Sequence, residues 1–144
     1  MLQLIMAFVG SVCAGILFNV RKEKLFWTGL SGALGWLSYS LFHTATGTVI
    51  IPIFMGAVAV GLYSESAARL LKTPVTVFSI SGIFPLVPGV TAYTAIQFLV
   101  ENRLEEAAGK IVETLGSAFA IAFGLMLITG IFRFASRLRE QKKA

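Results

Sequence analysis

Two prolines interrupt a long apolar run in the second half of this sequence. Residues 73–100 carry no charged side chain, yet Pro85, Pro88 and Gly89 fall at the centre of the run. A single proline usually bends a helix, whereas two prolines three residues apart with a glycine beside them favour a complete interruption. The run therefore predicts two half-helices that meet at a break.

The break exposes backbone groups that a regular helix would pair. Proline has no amide hydrogen and its ring crowds the carbonyl four residues earlier, so the carbonyls of Ser81 and Phe84 lose their helical donors. Phe84 and Val87 each precede a proline and are expected to leave helical geometry. Carbonyl oxygens freed in this way suit an ammonium group or a coupling cation.

The second half-helix supplies partial positive charge, opposite to that of the freed carbonyl oxygens. It is expected to begin after Gly89, so its positive dipole end faces the break, with the amides of Val90, Thr91 and Ala92 free. Such a helix start binds a carboxylate without a basic side chain. The candidate substrate-binding residues are Ser81, Phe84, Pro85, Pro88, Gly89, Val90, Thr91, Tyr93 and Thr94.

The overall composition places this break in a membrane. Of the 144 residues, 56% are hydrophobic and only 13% are charged, and the mean hydropathy is +0.82. In hydrocarbon, irregular backbone is tolerated only beside protein or a wet cavity, and broken helices often mark the substrate site of a transporter. A kinked spanning helix, its free carbonyls bonded by neighbouring serines, is the alternative interpretation.

The apolar runs predict an all-α integral membrane protein with about five spans in one domain. The predicted spans are residues 2–20, 25–43, 48–64, 73–100 (discontinuous) and 111–132, followed by a basic tail, residues 133–144, that is expected to fray. The first run is interpreted as a permanent span because its positive cluster follows the apolar core, whereas a signal peptide has that charge in front. Close helix packing is expected at small residues: Gly29, Ala33, Ala57, Gly61, Gly116, Ala120 and Gly124.

The basic residues predict the orientation. With five spans, every Lys and Arg except Arg103 and Lys110 falls on one side of the membrane. Cytoplasmic loops carry the excess of positive charge, so the amino end is expected outside and the carboxyl end in the cytoplasm. The basic residues lie between apolar runs and not along one face, which argues against nucleic acid as a partner in spite of the net charge of +5.

The groups that enzymes need are missing from the predicted spans. The chain has no Asp, one His and one Cys, Cys13, and no acidic or basic residue lies deep in a span. A nucleophile with its base, a metal-ligand set or paired carboxylates would be expected in a membrane enzyme. We therefore predict no enzymatic activity, no metal and no cofactor, and expect any ionisable group for proton coupling in another chain.

The segment Pro-Leu-Val-Pro-Gly at residues 85–89, the following Tyr93 and the glycine-rich second run resemble a known family. They are similar to the small-subunit, C-terminal domain of the threonine/serine exporter (ThrE-like) family, in its free-standing form. The resemblance implies a subunit that exports a small carboxylate solute, a threonine- or serine-like amino acid or a succinate-like dicarboxylate. It also implies a larger ThrE-like membrane partner and a location in the bacterial cytoplasmic (inner) membrane. A structural or assembly subunit without its own substrate site is the alternative.

Overall fold

The chain folds into helices throughout the part that the structure describes. The computed structural model describes residues 1–141, with side chains to Leu138. The helices are α1 (Leu2–Leu17), α2 (Lys22–Thr46), α3 (Ile50–Leu71), α4 (Val75–Ile83), α5 (Gly89–Val100) and α6 (Leu104–Gln141), with a 3₁₀ turn at Phe84–Leu86. No strand is present in residues 1–141, so the predicted all-α class is confirmed.

The helix ends use short turns that reverse the chain. Asn19, Lys72 and Asn102 adopt positive φ angles of 55°, 48° and 61° just beyond α1, α3 and α5. Gly47 does the same after α2, at φ 62°, and its amide bonds to the carbonyl of His43 at 3.2 Å. A left-handed residue satisfies an orphan carbonyl and stops the helix, so the connections stay short.

Two helices are long and apolar enough to cross a bilayer. They are Ile50–Leu71 and Leu104–Leu138, and the bent pair Val75–Leu86 and Gly89–Val100 would form a third. Helix α1 is apolar but has only 16 residues, and α2 has 25 residues with a more polar composition. These helices are consistent with a membrane protein. The number of five spans and their orientation remain predictions.

The carboxyl end differs from its prediction in one respect. The basic tail was expected to fray, but α6 continues as a helix to Gln141, well beyond the predicted span. The helix also begins at Leu104, so the polar residues before the apolar core belong to the same rod. Leu, Arg and Gln are good helix formers, which explains the extension. The last part of the predicted tail, residues 142–144, lies outside the described residues.

Helix α2 occupies the centre of the fold. It contacts α1, α3 and α4, while α6 packs on α3, and α5 packs on α6. A methyl group added to Gly29 would lie 2.7 Å from Phe8 and Val12 of α1, and one added to Gly35 would lie 2.5 Å from Val60 of α3. Because glycine has no side chain, α1 and α3 can approach two faces of α2 closely.

The contact between α3 and α6 also depends on small residues. A methyl group at Gly124 would lie 2.9 Å from the Cβ of Ala57 and 3.2 Å from the carbonyl of Phe54, and one at Gly61 would lie 3.1 Å from Ile128. Ala57 and Ala120 are buried in the main hydrophobic cluster. Gly116 lies against the side chain of Ile50, whereas Ala33 on α2 is only half-buried.

Candidate functional site

The backbone breaks between α4 and α5 at the two prolines. The two helical halves make an angle of 51°. Val87 is extended, at φ −62° and ψ 128°, as its place before a proline predicts. Phe84 does not follow that prediction: it stays helical at φ −51° and ψ −42°. Pro85 is tolerated there because it lies in the first turn of a new 3₁₀ helix, where its missing amide hydrogen would have no partner.

A cavity of about 220 Å³ lies at the break. Its lining comes from the broken segment and from three other helices. The lining residues are Trp36, Tyr39, Val49, Ile53, Pro85, Leu86, Val87, Pro88, Gly89, Val90, Thr91 and Ser117. The broken segment, α2, α3 and α6 thus border one small, partly open space.

The amino end of α5 opens into this cavity. The helix begins at Gly89, one residue earlier than predicted, and Pro88 precedes it with no side-chain cap. No described residue accepts a hydrogen bond from the amides of Val90 and Thr91. The amide of Ala92, predicted to be free, donates instead to the carbonyl of Pro88 at 3.0 Å. Two free amides and the positive end of the helix dipole therefore lie at the cavity.

Hydroxyl and indole groups complete the polar part of the lining. Ser117 Oγ donates to the carbonyl of Glu113 at 2.8 Å, which leaves its oxygen as an acceptor. Trp36 and Tyr39 stack with their ring centroids 5.0 Å apart, and His43 continues the stack 5.4 Å from Tyr39. No Lys, Arg, Asp or Glu lines this cavity among the described residues. The polar groups of the lining itself are therefore backbone dipoles and neutral side chains.

Four of the sequence-predicted site residues lie away from the cavity. Ser81 is buried against α1 and donates to its own helix, at the carbonyl of Val77, 3.1 Å away. Phe84 lines a separate groove of about 480 Å³ beside α1. Tyr93 is 69% exposed on the outer face of α5, and Thr94 donates to the carbonyl of Val90 at 2.8 Å. Pro85, Pro88, Gly89, Val90 and Thr91 reach the cavity.

The sequence interpretation missed the residues that other helices bring to the cavity. They are Trp36, Tyr39, Val49, Ile53 and Ser117. The spacing of Trp36 and Tyr39 places both on one side of a helix, which was a usable local signal. Nothing local marks Ser117 or Ile53, because only the packing of α3 and α6 turns them towards the break.

The opposite end of α5 carries a charged cluster outside the predicted spans. Gln97 Nε2 donates to Glu101 Oε1 at 3.0 Å, and Arg103 Nη1 donates to Glu101 Oε2 at 3.2 Å. These hydrogen bonds lower the pKa of the Glu101 carboxyl, and bonds to Glu106 and Glu101 raise the pKa of Arg103. No group of three potential metal ligands occurs in the described residues. The cluster is an exposed ion-pair network and not part of the cavity.

A comparison with known protein families identifies one that matches most of this chain. The sequence model of the family described as Threonine/Serine exporter, ThrE matches residues 3–131, nearly the whole chain. The chain belongs to this family. The predicted resemblance is thereby confirmed, and the chain is of threonine/serine exporter type, a class of membrane transporter. No solved structure matches the chain.

Proposed function

We propose that this chain is one subunit of a secondary transporter that exports a small carboxylate solute, with its binding site at the break between α4 and α5. The observation that carries the proposal is the pair of free amides, Val90 and Thr91, at a helix start that lines a small, partly open cavity. Backbone amides and the helix dipole attract a carboxylate without a basic side chain.

The size and polarity of the cavity support a solute of this class. A volume of about 220 Å³ equals roughly seven waters at ~30 Å³ each, comparable to a threonine or a succinate in heavy atoms. The hydroxyls of Thr91 and Ser117 and the Trp36–Tyr39 pair add neutral polar groups around the amides. Neutral groups bind a carboxylate weakly enough for release, which a transporter requires.

The proposal includes a larger ThrE-like membrane partner in a bacterial cytoplasmic membrane. Two observations support a partner that completes the pathway. The cavity lies partly open at the edge of this chain, where α5 packs mainly on α6. The described residues also provide no charged side chain in the cavity for coupling to an ion gradient. A coupling group on a second chain would supply what this lining does not.

The matched pair Thr91→Val and Thr94→Val tests the proposed site. Both changes replace a hydroxyl by a methyl group on α5, but only Thr91 lines the cavity, since Thr94 donates to its own helix. We expect Thr91→Val to weaken solute binding about tenfold or more, the value of one hydrogen bond to a charged group. Thr94→Val should bind as the parent does. Equilibrium binding of labelled threonine and of labelled succinate to the purified complex measures both.

Two outcomes would contradict the proposal. Equal loss in both variants would indicate a general effect on α5, and parental binding and export by Thr91→Val would place the solute elsewhere. In the second case the chain would be the structural or assembly subunit that the sequence left as the alternative. Protein level and complex formation, measured in parallel, separate loss of binding from loss of the protein.

A further inference from the structure

A second cavity lies where the α1–α2 and α3–α4 connections meet. Its volume is about 370 Å³, and it lies at the amino end of α4, away from the break. Three basic residues and one acidic residue line it: Arg21, Glu23 and Lys24 from the first connection, and Lys72 from the second. The proposed export site does not use this cavity. The lining of this cavity is charged, whereas the lining of the proposed export site is neutral.

The single carboxylate of Glu23 does not neutralise the three basic residues of this cavity. Arg21 Nη2 lies 3.9 Å from Glu23 Oε2, and both side chains are more than 70% exposed, so this pair contributes little. No acidic side chain among the described residues forms an ion pair with Lys24 or Lys72. The cavity therefore carries net positive charge and favours an anion.

Backbone groups add to this charge. Thr73 and Pro74, just before α4, belong to the lining. The hydroxyl of Thr73 donates to the carbonyl of Leu71 at 2.9 Å and does not cap the helix. No described residue accepts a hydrogen bond from the amides of Val75 and Thr76. The positive end of α4 thus points to the same space as the three cations.

One side of the cavity is apolar and continues into exposed apolar surface. Phe18, Leu71 and Val77 share the lining with the cations. Beside them, Phe18 is 56%, Leu17 79% and Leu70 81% exposed. A free inorganic anion would leave this apolar side unused. An amphiphile would place its anionic group at the cations and its hydrocarbon along Phe18 and Leu71.

We propose that this cavity binds the phosphate of an anionic phospholipid headgroup. Basic pockets between the ends of membrane helices are suited to such headgroups, and the predicted orientation places this one at the cytoplasmic leaflet. The bound lipid would join the α1–α2 connection to the α3–α4 connection, since Lys24 and Lys72 come from the two different segments.

The test compares two double variants of equal charge. Lys24→Gln with Lys72→Gln removes two cations from the lining, whereas Lys22→Gln with Arg137→Gln removes two exposed cations that do not line it. Native mass spectrometry of the purified chain, titrated with phosphatidylglycerol and with phosphatidylcholine, measures the first bound lipid. Each basic residue near an anionic headgroup contributes about fivefold, so the cavity variant should lose about thirtyfold in phosphatidylglycerol affinity.

Each further arm supports or overturns the proposal. The control variant should lose less than threefold, and phosphatidylcholine should bind equally to all proteins. A charge-preserving pair, Lys24→Arg with Lys72→Arg, should keep the affinity, which excludes misfolding as the cause. Equal losses in both glutamine variants, or parental affinity in the cavity variant, would overturn the proposal. Displacement of the lipid by millimolar inorganic phosphate would also overturn it, in favour of a free-anion site.

Discussion

Arg69 connects two helices that are far apart in the sequence. Its Nη2 donates to the carbonyl of Phe132 at 3.3 Å and to Ser136 Oγ at 3.0 Å, and the guanidinium carbon lies 4.9 Å from the centroid of the Phe132 ring. The carboxylate of Glu65, on a residue only 6% exposed, lies 3.9 Å from the same nitrogen. Arg69 therefore links α3 to α6 and compensates a buried acid.

Replacing Arg69 should destabilise the fold more than replacing another basic residue nearby. Arg69→Gln removes two interhelical hydrogen bonds and leaves Glu65 without its cation, so we expect a loss of about 1–3 kcal/mol in the free energy of unfolding. Arg137→Gln, one residue beyond Ser136 and exposed, is the control and should change stability little. Unfolding of the detergent-solubilised protein by heat or denaturant gives the comparison.

The double variant Arg69→Gln with Glu65→Gln shows which part of the loss is electrostatic. Removing the buried carboxylate takes away the charge that needed compensation, so the double variant should be more stable than Arg69→Gln alone. An unchanged transition in Arg69→Gln would show that the bonds to α6 contribute nothing. A double variant less stable than the single one would contradict the role assigned to Glu65.

At the scale of elements, three small residues on one side of α6 determine how closely α3 approaches. These residues, Gly116, Ala120 and Gly124, form the small-residue stripe of α6. Gly124 meets Ala57 and the backbone of Phe54, which cannot move away easily, whereas Gly116 meets only the end of the Ile50 side chain. The two glycines are therefore not equivalent, although their spacing in the sequence suggests one uniform stripe. Backbone contact makes Gly124 the more demanding position.

A single methyl group should distinguish the packed glycines from the open ones. Gly124→Ala places a Cβ 2.9 Å from that of Ala57 and should separate α3 from α6, with an overpacking cost of about 1–3 kcal/mol. Gly130→Ala, on the same helix, meets nothing within 4 Å and should be neutral or stabilising by up to about 1 kcal/mol through helix propensity. Thermal unfolding of both variants measures the difference; equal stability would show that the α3–α6 contact adjusts freely.

At the scale of the whole molecule, α5 and α6 present apolar side chains to the outside. Val90 is 82% exposed, Phe119 73% and Met126 76%. Helices that are apolar on their outer face as well as inside are typical of chains surrounded by lipid or by a partner. The core between α2, α3 and α6 is correspondingly thin and depends on close contact of small residues.

The orientation of the chain stays a prediction that accessible labels can test. A cysteine introduced in residues 44–47, which lie at the end of α2, should react with an impermeant reagent added outside the cell. A reporter fused to the carboxyl end should be active in the cytoplasm. Cys13 is exposed and has to be replaced first. Labelling of residues 44–47 only from the cytoplasmic side would invert the predicted topology.

The sequence by itself determined the features that depend on local chemistry. A proline far from the start of a helix removes an amide hydrogen and crowds a carbonyl, so the break at Pro85 and Pro88 could be predicted without the fold. Apolar composition and helical pattern indicated an all-α membrane protein, and the residues around the break indicated the family. These features could be predicted because each depends on the residue types and their local spacing, and not on contacts between distant parts of the chain.

Only the tertiary structure decided which residues meet at the break. Ser81 and Tyr93 are close to it in sequence, but packing turns Ser81 towards α1 and Tyr93 outwards. Ser117, far along the chain, faces the cavity instead. Likewise Glu65, which lies one residue beyond the predicted third span, is buried by neighbouring helices. The side that a helix buries depends on long-range contacts between close-packed surfaces, and local spacing does not specify those contacts.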